Sequence, residues 1–155
     1  SVDDIASRTN AAINGRIVLL KTGHSRHFGT ELYRNRPYME TKAVQWLIDG
    51  GMKTLGIDCS GIENRTKDEH EPNHALLFEH GIPMVEDLNN LQEIDSSEVF
   101  FFALPLPIRG LDASPIHPIA VEPADAAYTL ETILGTTTEW KIHRTRHEVR
   151  KESEE

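Results

Sequence analysis

The run Arg16-Ile17-Val18-Leu19-Leu20-Lys21 decides the fold that the sequence predicts. It is apolar and partly β-branched, and it lies between Gly15 and Gly23, so it predicts a buried strand. Glu40 to Asp49 then shows the apolar spacing of a helix and ends at a pair of glycines. Lys53 to Ile57 predicts a second strand. A strand, a helix and a strand in this order indicate an α/β fold with a partly parallel sheet.

Further elements continue the alternation of strands and helices. Helices are predicted at 3–13, 74–80 and 124–134, and strands at 83–86, 98–104 and 116–121. The run 98–104 is the most apolar of the chain, which predicts a central strand. The polar stretch 22–38 predicts a long functional loop, and 136–155 predicts a solvated tail. We therefore expect a single α/β domain with a mixed sheet and flanking helices.

The composition excludes several classes of protein. The 155 residues suffice for one domain, and 25 acidic against 16 basic residues give a formal charge of −9. This balance argues against nucleic acid and anionic membranes as partners, because both require a basic face. Cys59 is the only cysteine, so no intramolecular disulfide can form and a cytoplasmic setting is expected. No apolar run approaches the roughly 18 residues that a membrane helix needs.

His74 and Glu86 are the candidate metal ligands. His74 lies at the start of a predicted short helix, and Glu86 follows it by twelve residues, at the end of the strand that returns from that helix. A helix of about two turns and a tight turn can bring these two ends together. Imidazole and carboxylate are common ligands of zinc and manganese. The alternative is that His74 caps or packs on the helix while Glu86 is solvated.

Asp58 and Cys59 directly follow a predicted strand. A carboxylate at the carboxyl end of a strand is often functional in an α/β fold, but it equally often caps the following loop. Both interpretations of Asp58 remain open. Cys59 could act as a nucleophile only with a base beside it, and we interpret it as structural.

Several blocks of the sequence occur in the order and at the spacings of one known family. They are 17–23 (Ile-Val-Leu-Leu-Lys-Thr-Gly), 56–58 (Gly-Ile-Asp), 74–77 (His-Ala-Leu-Leu), 81–82 (Gly-Ile), 86–91 (Glu-Asp-Leu-Asn-Asn-Leu), 103–106 (Ala-Leu-Pro-Leu) and 110–115 (Gly-Leu-Asp-Ala-Ser-Pro). Through these blocks, residues 15–121 resemble the C-terminal two-thirds of the cyclase family, which includes bacterial kynurenine formamidase and isatin hydrolase.

The resemblance implies a swivelling β/β/α-type fold and a metal-dependent amidohydrolase. It implies that His74 and Glu86 are ligands of zinc or manganese, and it places Asp58 near the substrate pocket. His24 replaces a tryptophan that is usual in the family, so it is either a wall of the pocket or a partly exposed loop histidine. The implied substrate is a small amide or formamide such as N-formylkynurenine, as in tryptophan catabolism.

One family motif is not found. The motif His-x-Gly-Thr-His-x-Asp-x-Pro-x-His normally precedes the block at Gly15 and supplies further ligands and the catalytic histidine, whereas residues 1–14 contain no histidine. We expect that an N-terminal part of the family domain is missing, that residues 1–121 are the remaining cyclase-like portion, and that 122–155 form a helical, charged extension. No catalytic residue is assigned.

The incomplete ligand set has two interpretations. The remaining ligands and the catalytic histidine come from a preceding segment or from a partner chain, which favours a homo-oligomer or a complementary chain. Alternatively, the chain is an inactive member of the family, a binding or scaffold subunit that has lost its metal.

Overall fold

The computed structural model describes residues 1–9, 12–66, 72–123 and 140–144. In this part of the chain the helices are α1 (Val2–Ala6), α2 (Thr41–Asp49) and α3 (Pro72–Glu79). The strands are β1 (Ile17–Leu20), β2 (Thr54–Ile57), β3 (Met84–Val85), β4 (Phe100–Phe102), β5 (Ile119–Pro123) and β6 (Trp140–Arg144). Three short 3-10 helices lie at His24–His27, Glu31–Arg34 and Leu91–Glu93.

The first sheet is parallel and has the order β1-β2-β3. Val18 is paired with Leu55, and Leu55 with Met84. Neighbouring parallel strands need a crossover connection, and α2 and α3 provide the two crossovers. Helix α2 packs against the sheet through a fully buried apolar face formed by Ala43, Val44 and Leu47. The predicted α/β class and the parallel strands are therefore confirmed.

The second sheet is antiparallel and has the order β4-β5-β6. Among the residues that the structure describes, β4 pairs only with β5 and lies at an edge, so the prediction of a central strand at 98–104 was wrong. It contains three residues, and its last side chain, Phe102, is 53% exposed. Pro105 cannot donate a backbone hydrogen bond, and the apolar run that precedes it continues into the exposed Leu104 instead of a longer strand.

The chain termini also differ from the prediction. Helix α1 ends at Ala6, with Ser7 as its C-cap, instead of reaching Ile13. Strand β5 continues to Pro123 and pairs with β6, which lies within the stretch predicted as a solvated tail. The predicted helix at 124–134 lies outside the described residues. The domain boundary after residue 121 stays a prediction; it falls inside β5, where the Glu122 side chain is 2% exposed.

The carboxyl ends of β1, β2 and β3 meet at the same edge of the parallel sheet, because the three strands run in the same direction. The segments that follow them begin at Lys21, Asp58 and Glu86. In α/β folds this edge is where ligands bind. In the described residues no helix is long and apolar enough to cross a membrane.

Candidate functional site

Helix α3 brings His74 to this edge. Its second residue, Asn73, is fully buried, and its side-chain amide donates to the carbonyl oxygens of Met39 at 2.9 Å and Ile62 at 3.4 Å. Asn73 therefore fixes the start of α3 against the segments that flank α2 and β2. His74 is the next residue, so the position of its backbone is set by this buried amide.

The imidazole of His74 lies between two carboxylates. Its Nδ1 is 2.8 Å from Glu63 Oε1, and its Nε2 is 3.2 Å from Glu86 Oε1. The same oxygen of Glu63 also accepts the backbone N–H of His74 at 2.8 Å. The side chain of Glu63 is 3% exposed, whereas that of Glu86 is 37% exposed. The arrangement therefore has an inner carboxylate, an imidazole and an outer carboxylate that solvent reaches.

These contacts change the protonation of His74. Partial burial of the ring lowers its pKa, but the hydrogen bonds and charges of Glu63 and Glu86 outweigh this effect and hold the pKa above its usual value of 6.5. A divalent ion at Nε2 would have to displace a proton, so its binding would weaken as the pH falls.

His74 and Glu86 suit a divalent ion. Zinc ligands lie at about 2.0–2.2 Å from the metal, so two of them sharing one ion are roughly 3 Å apart. The Nε2 to Oε1 distance of 3.2 Å agrees with this separation. A carboxylate on the opposite ring nitrogen, as Glu63 is placed, is the usual support of a metal-binding histidine. The predicted ligand pair is thus brought together, and its metal role stays a prediction.

The described residues supply only part of a metal site. Within 1–9, 12–66, 72–123 and 140–144, no group of three or more His, Cys, Asp or Glu side chains is arranged to hold an ion. Glu63 does not count as a third ligand, because it faces Nδ1, whereas Glu86 faces Nε2 on the other side of the ring. A structural zinc site has four ligands, so His74 and Glu86 would form half of one.

Asp58 holds the loop that follows β1. Its Oδ1 accepts from the backbone N–H of Thr22 at 3.0 Å and from the Thr22 hydroxyl at 2.5 Å. Its Oδ2 accepts from the backbone N–H of Gly23 at 2.7 Å. The side chain is fully buried. Asp58 thus holds the loop after β1, whereas the predicted alternative concerned the loop that follows Asp58 itself. Its place in a substrate pocket stays a prediction.

His24 lies inside the same loop. It is 8% exposed, its Nε2 is 3.0 Å from the carbonyl oxygen of Tyr33, and the two rings are stacked with centroids 5.2 Å apart. The predicted alternative of a partly exposed histidine is therefore wrong, because these contacts remove the ring from solvent. That His24 forms a wall of the pocket stays a prediction.

Tyr33 connects this loop to the end of β3. Its hydroxyl donates to Asp87, the residue after the candidate ligand Glu86. Burial, together with this hydrogen bond and the charge of Asp87, raises the pKa of Tyr33, so the phenol stays a donor. Asp87 has a positive φ of 56°, a conformation that is uncommon for residues other than glycine but that aspartate adopts more readily than most.

Gly61 lies against the outer carboxylate. Its φ is +93°, and a Cβ at this position would lie 3.1 Å from Glu86 Oε1 and 3.1 Å from Arg36 Nη2. A side chain here would press directly on the candidate ligand. Arg36 in turn donates from Nη1 to the backbone carbonyl of Glu63 at 2.9 Å, so the loop that carries Glu63 is fixed from the other side.

Cys59 is fully buried and its thiol contacts the carbonyl oxygen of Gly61 at 3.4 Å. Burial and the charge of Asp58 raise the pKa of the Cys59 thiol to about 12. A thiol with this pKa is not a nucleophile at neutral pH, in agreement with the structural interpretation.

The sequence did not single out Glu63, Tyr33 or Gly61. Glu63 and Gly61 lie in a charged segment without periodicity, which predicted only a loop, and Tyr33 lies in the long loop after β1. A usable signal was the position of Glu63, five residues after Asp58 and six residues after Ile57, where the buried strand β2 ends.

Three comparisons with known proteins show what this chain is similar to. The model of the family described as "Putative cyclase" matches residues 1–64. An uncharacterised protein of Methanocaldococcus jannaschii is 31% identical over 122 residues, which are 78% of this chain and 61% of that protein. Over residues 1–64 the chain is therefore similar to the cyclase family.

Two further proteins that are similar to this chain have names that state an activity. Kynurenine formamidase of Bordetella pertussis is 29% identical over 81 residues, 52% of this chain and 38% of that enzyme. The solved structure described as a predicted metal-dependent hydrolase from Bacillus stearothermophilus superposes with a TM-score of 0.63 at 31% identity, and the match covers 75% of this chain and 53% of that one. The chain thus spans about three fifths or less of the length of these matched proteins.

Proposed function

We propose that this chain is part of a metal-dependent hydrolase of the cyclase family that cleaves an amide or formamide bond. The observation that carries the proposal is the placement of His74 between Glu63 and Glu86 at the carboxyl edge of a parallel sheet. The metal-dependent hydrolase described for the Bacillus neighbour and the formamidase activity named for the Bordetella relative support it. An arylformamide such as N-formylkynurenine is the proposed substrate.

The residues of this chain would hold and orient a divalent ion, zinc or manganese. His74 Nε2 and Glu86 Oε1 would be its ligands. When bound, such an ion lowers the pKa of a water molecule and polarises the scissile carbonyl. Asp58 and Tyr33 fix the loop after β1 at the edge of the site, which limits how the substrate can enter.

The remaining ligands and a proton-transferring histidine are proposed to come from outside the residues that this structure describes, either from a further segment of the protein or from a partner chain. A homo-oligomer or a complementary chain follows from this proposal. We propose a cytoplasmic setting, in line with the single buried cysteine.

A second candidate function is a binding or scaffold subunit without catalysis. This candidate is favoured because His74 and Glu86 are only two ligands, and the described residues contain no group of three metal-binding side chains. The two candidates differ in whether metal is bound and whether an amide is hydrolysed.

The test is an amidohydrolase assay on the purified protein. The chain, loaded with zinc or manganese, is incubated with N-formylkynurenine and with isatin, and formate release and ring opening are measured. The control is Glu79→Gln, which changes an exposed carboxylate on α3. Turnover that is lost in Glu86→Gln and kept in Glu79→Gln supports the hydrolase. Stoichiometric metal without turnover, or no metal at all, favours the non-catalytic subunit.

A further inference from the structure

Glu63 is the more enclosed of the two carboxylates beside His74. It is 3% exposed, and solvent reaches the site through Glu86 instead. Glu63 therefore has no route to a substrate, and any role that it has in the chemistry must act through His74.

One oxygen of Glu63 fixes both parts of His74. Oε1 accepts the backbone N–H at 2.8 Å and faces ring Nδ1 at 2.8 Å. The backbone N–H belongs to the first turn of α3, where amide groups have no partner within the helix. Because the same oxygen is also bonded to the backbone of His74, rotation of the ring about its side-chain bonds would break the contact between Nδ1 and Glu63 Oε1.

The chemistry of a carboxylate also sets the position of the ring proton. An ionised carboxylate only accepts hydrogen bonds, so in the charged ring both nitrogens donate, Nδ1 to Glu63 and Nε2 to Glu86. In the neutral ring one nitrogen loses its hydrogen, and the shorter contact, 2.8 Å from Nδ1 to the enclosed Glu63, favours the hydrogen on Nδ1. In the neutral ring, Nε2 then has the free lone pair, and this is the nitrogen that faces Glu86 at 3.2 Å. The opposite tautomer would place an N–H towards Glu86 and leave the lone pair on Nδ1, which faces the enclosed Glu63.

Glu63 is not explained by the stability of the fold alone. Its second oxygen, Oε2, is buried and has no hydrogen-bond partner among the described residues. Leaving a buried acceptor without a partner is costly, and each such group in a native protein calls for an explanation. Arg36 and Asn73 hold the backbone on either side of it, through the carbonyl oxygens of Glu63 and Ile62.

We infer that Glu63 is a positioning residue that fixes the tautomer and the orientation of His74, so that Nε2 and Glu86 face one common position. The inference rests on the proposed function, because it assigns Glu63 a role towards the same metal site. It concerns the metal-free ring, however, and can be tested without metal.

The experiment has two arms, both on the whole chain and on Glu63→Gln and Glu63→Ala, with Glu79→Gln as control. In the first arm, two-bond ¹⁵N–¹H correlation spectra of the metal-free protein identify the tautomer of His74, at a pH where its ring signals no longer shift. We expect the Nδ1–H tautomer in the wild type and in Glu79→Gln, and a mixture or the Nε2–H tautomer in both Glu63 variants.

In the second arm, zinc affinity is measured by competition with a chelating dye. Loss of such a supporting carboxylate typically costs about 10- to 100-fold in metal affinity, and we expect a loss in this range for Glu63→Gln. A wild-type Nε2–H tautomer overturns the inference, as does an unchanged tautomer in both variants. If no zinc binds to the wild type, the proposed function fails, while the first arm still decides the role of Glu63. If the variants do not fold, the wild-type spectrum decides it.

Discussion

Glu86 Oε1 lies 3.2 Å from His74 Nε2, although the two residues belong to different elements of the fold. His74 is in the first turn of α3, and Glu86 directly follows β3. They meet because α3 is the crossover between two parallel strands, so that the residue after β3 lies at the same sheet edge as the segment that leads into α3. Buried Asn73 fixes the start of the helix, and the geometry of the pair is therefore a property of the crossover.

Gly61 is expected to be essential for the position of Glu86. In Gly61→Ala the new methyl group would lie 3.1 Å from Glu86 Oε1, in addition to the strain of a φ of +93°. Gly110→Ala is the matched control, since Gly110 has a φ of +81° but a methyl group there would meet nothing within 4 Å among the described residues. We expect Gly61→Ala to lower the free energy of unfolding by at least about 1 kcal/mol more than Gly110→Ala does, as measured by urea denaturation. Equal losses would show that the site tolerates the methyl group.

Asp58→Asn is expected to loosen the loop after β1. The carboxylate accepts three hydrogen bonds from Thr22 and Gly23, and an amide at this position directs its NH₂ group towards N–H donors. Loss of a buried acceptor costs roughly 1–3 kcal/mol of unfolding free energy. The control Asp112→Asn, at an exposed position, should stay within about 0.5 kcal/mol of the wild type. A wild-type stability for Asp58→Asn would contradict the role of Asp58 as a clamp.

The stability of the metal-free protein is expected to depend on pH through His74. The folded-state pKa of this ring is raised above 6.5, so protonated His74 contributes stability that is fully present below about pH 6.5 and is lost as the pH rises through the folded pKa. Urea denaturation in the presence of a chelator, at steps from pH 5.5 to 9, should therefore show the gap between wild type and His74→Ala closing as the pH rises. His80→Ala is the control, because the His80 ring contacts the carbonyl oxygen of Leu76. A gap that widens with pH would contradict the pair of carboxylate contacts.

Cys59 is expected to be unreactive in the folded protein. Its thiol is buried and burial raises its pKa to about 12, so the thiolate that attacks disulfide reagents is scarce at pH 8. Ellman's reagent should release less than a tenth of the expected chromophore in native buffer within minutes, and one equivalent after addition of urea. Rapid reaction of the native thiol would contradict its assigned burial.

Part of the fold and of the site followed from the sequence. The strands at Ile17–Leu20 and Thr54–Ile57 were predicted because buried parallel strands read as continuous apolar runs. The proximity of His74 and Glu86 was predicted from the length of a helix and a tight turn. These features depend on local periodicity, which a single sequence displays.

Other features depended on contacts that a single sequence does not display. The edge position of β4 was missed, because the apolar composition of a strand predicts its burial but not which strands pair with it. Glu63 was missed because a segment without periodicity predicts only a loop, and its partner His74 lies eleven residues further along the chain. Tyr33 was missed for the same reason, since its partner Asp87 lies 54 residues away.

The most direct test of the central claim, that His74 and Glu86 form a metal-ligand pair, is the metal content of the protein after equilibrium dialysis. Wild type, His74→Ala, Glu86→Gln and the control Glu79→Gln are dialysed against zinc and separately against manganese, and bound metal is measured by mass spectrometry. We predict about one ion per site in the wild type and in Glu79→Gln, and loss of that ion in His74→Ala and Glu86→Gln. Metal that persists in both ligand variants, or its absence from the wild type, would contradict the claim.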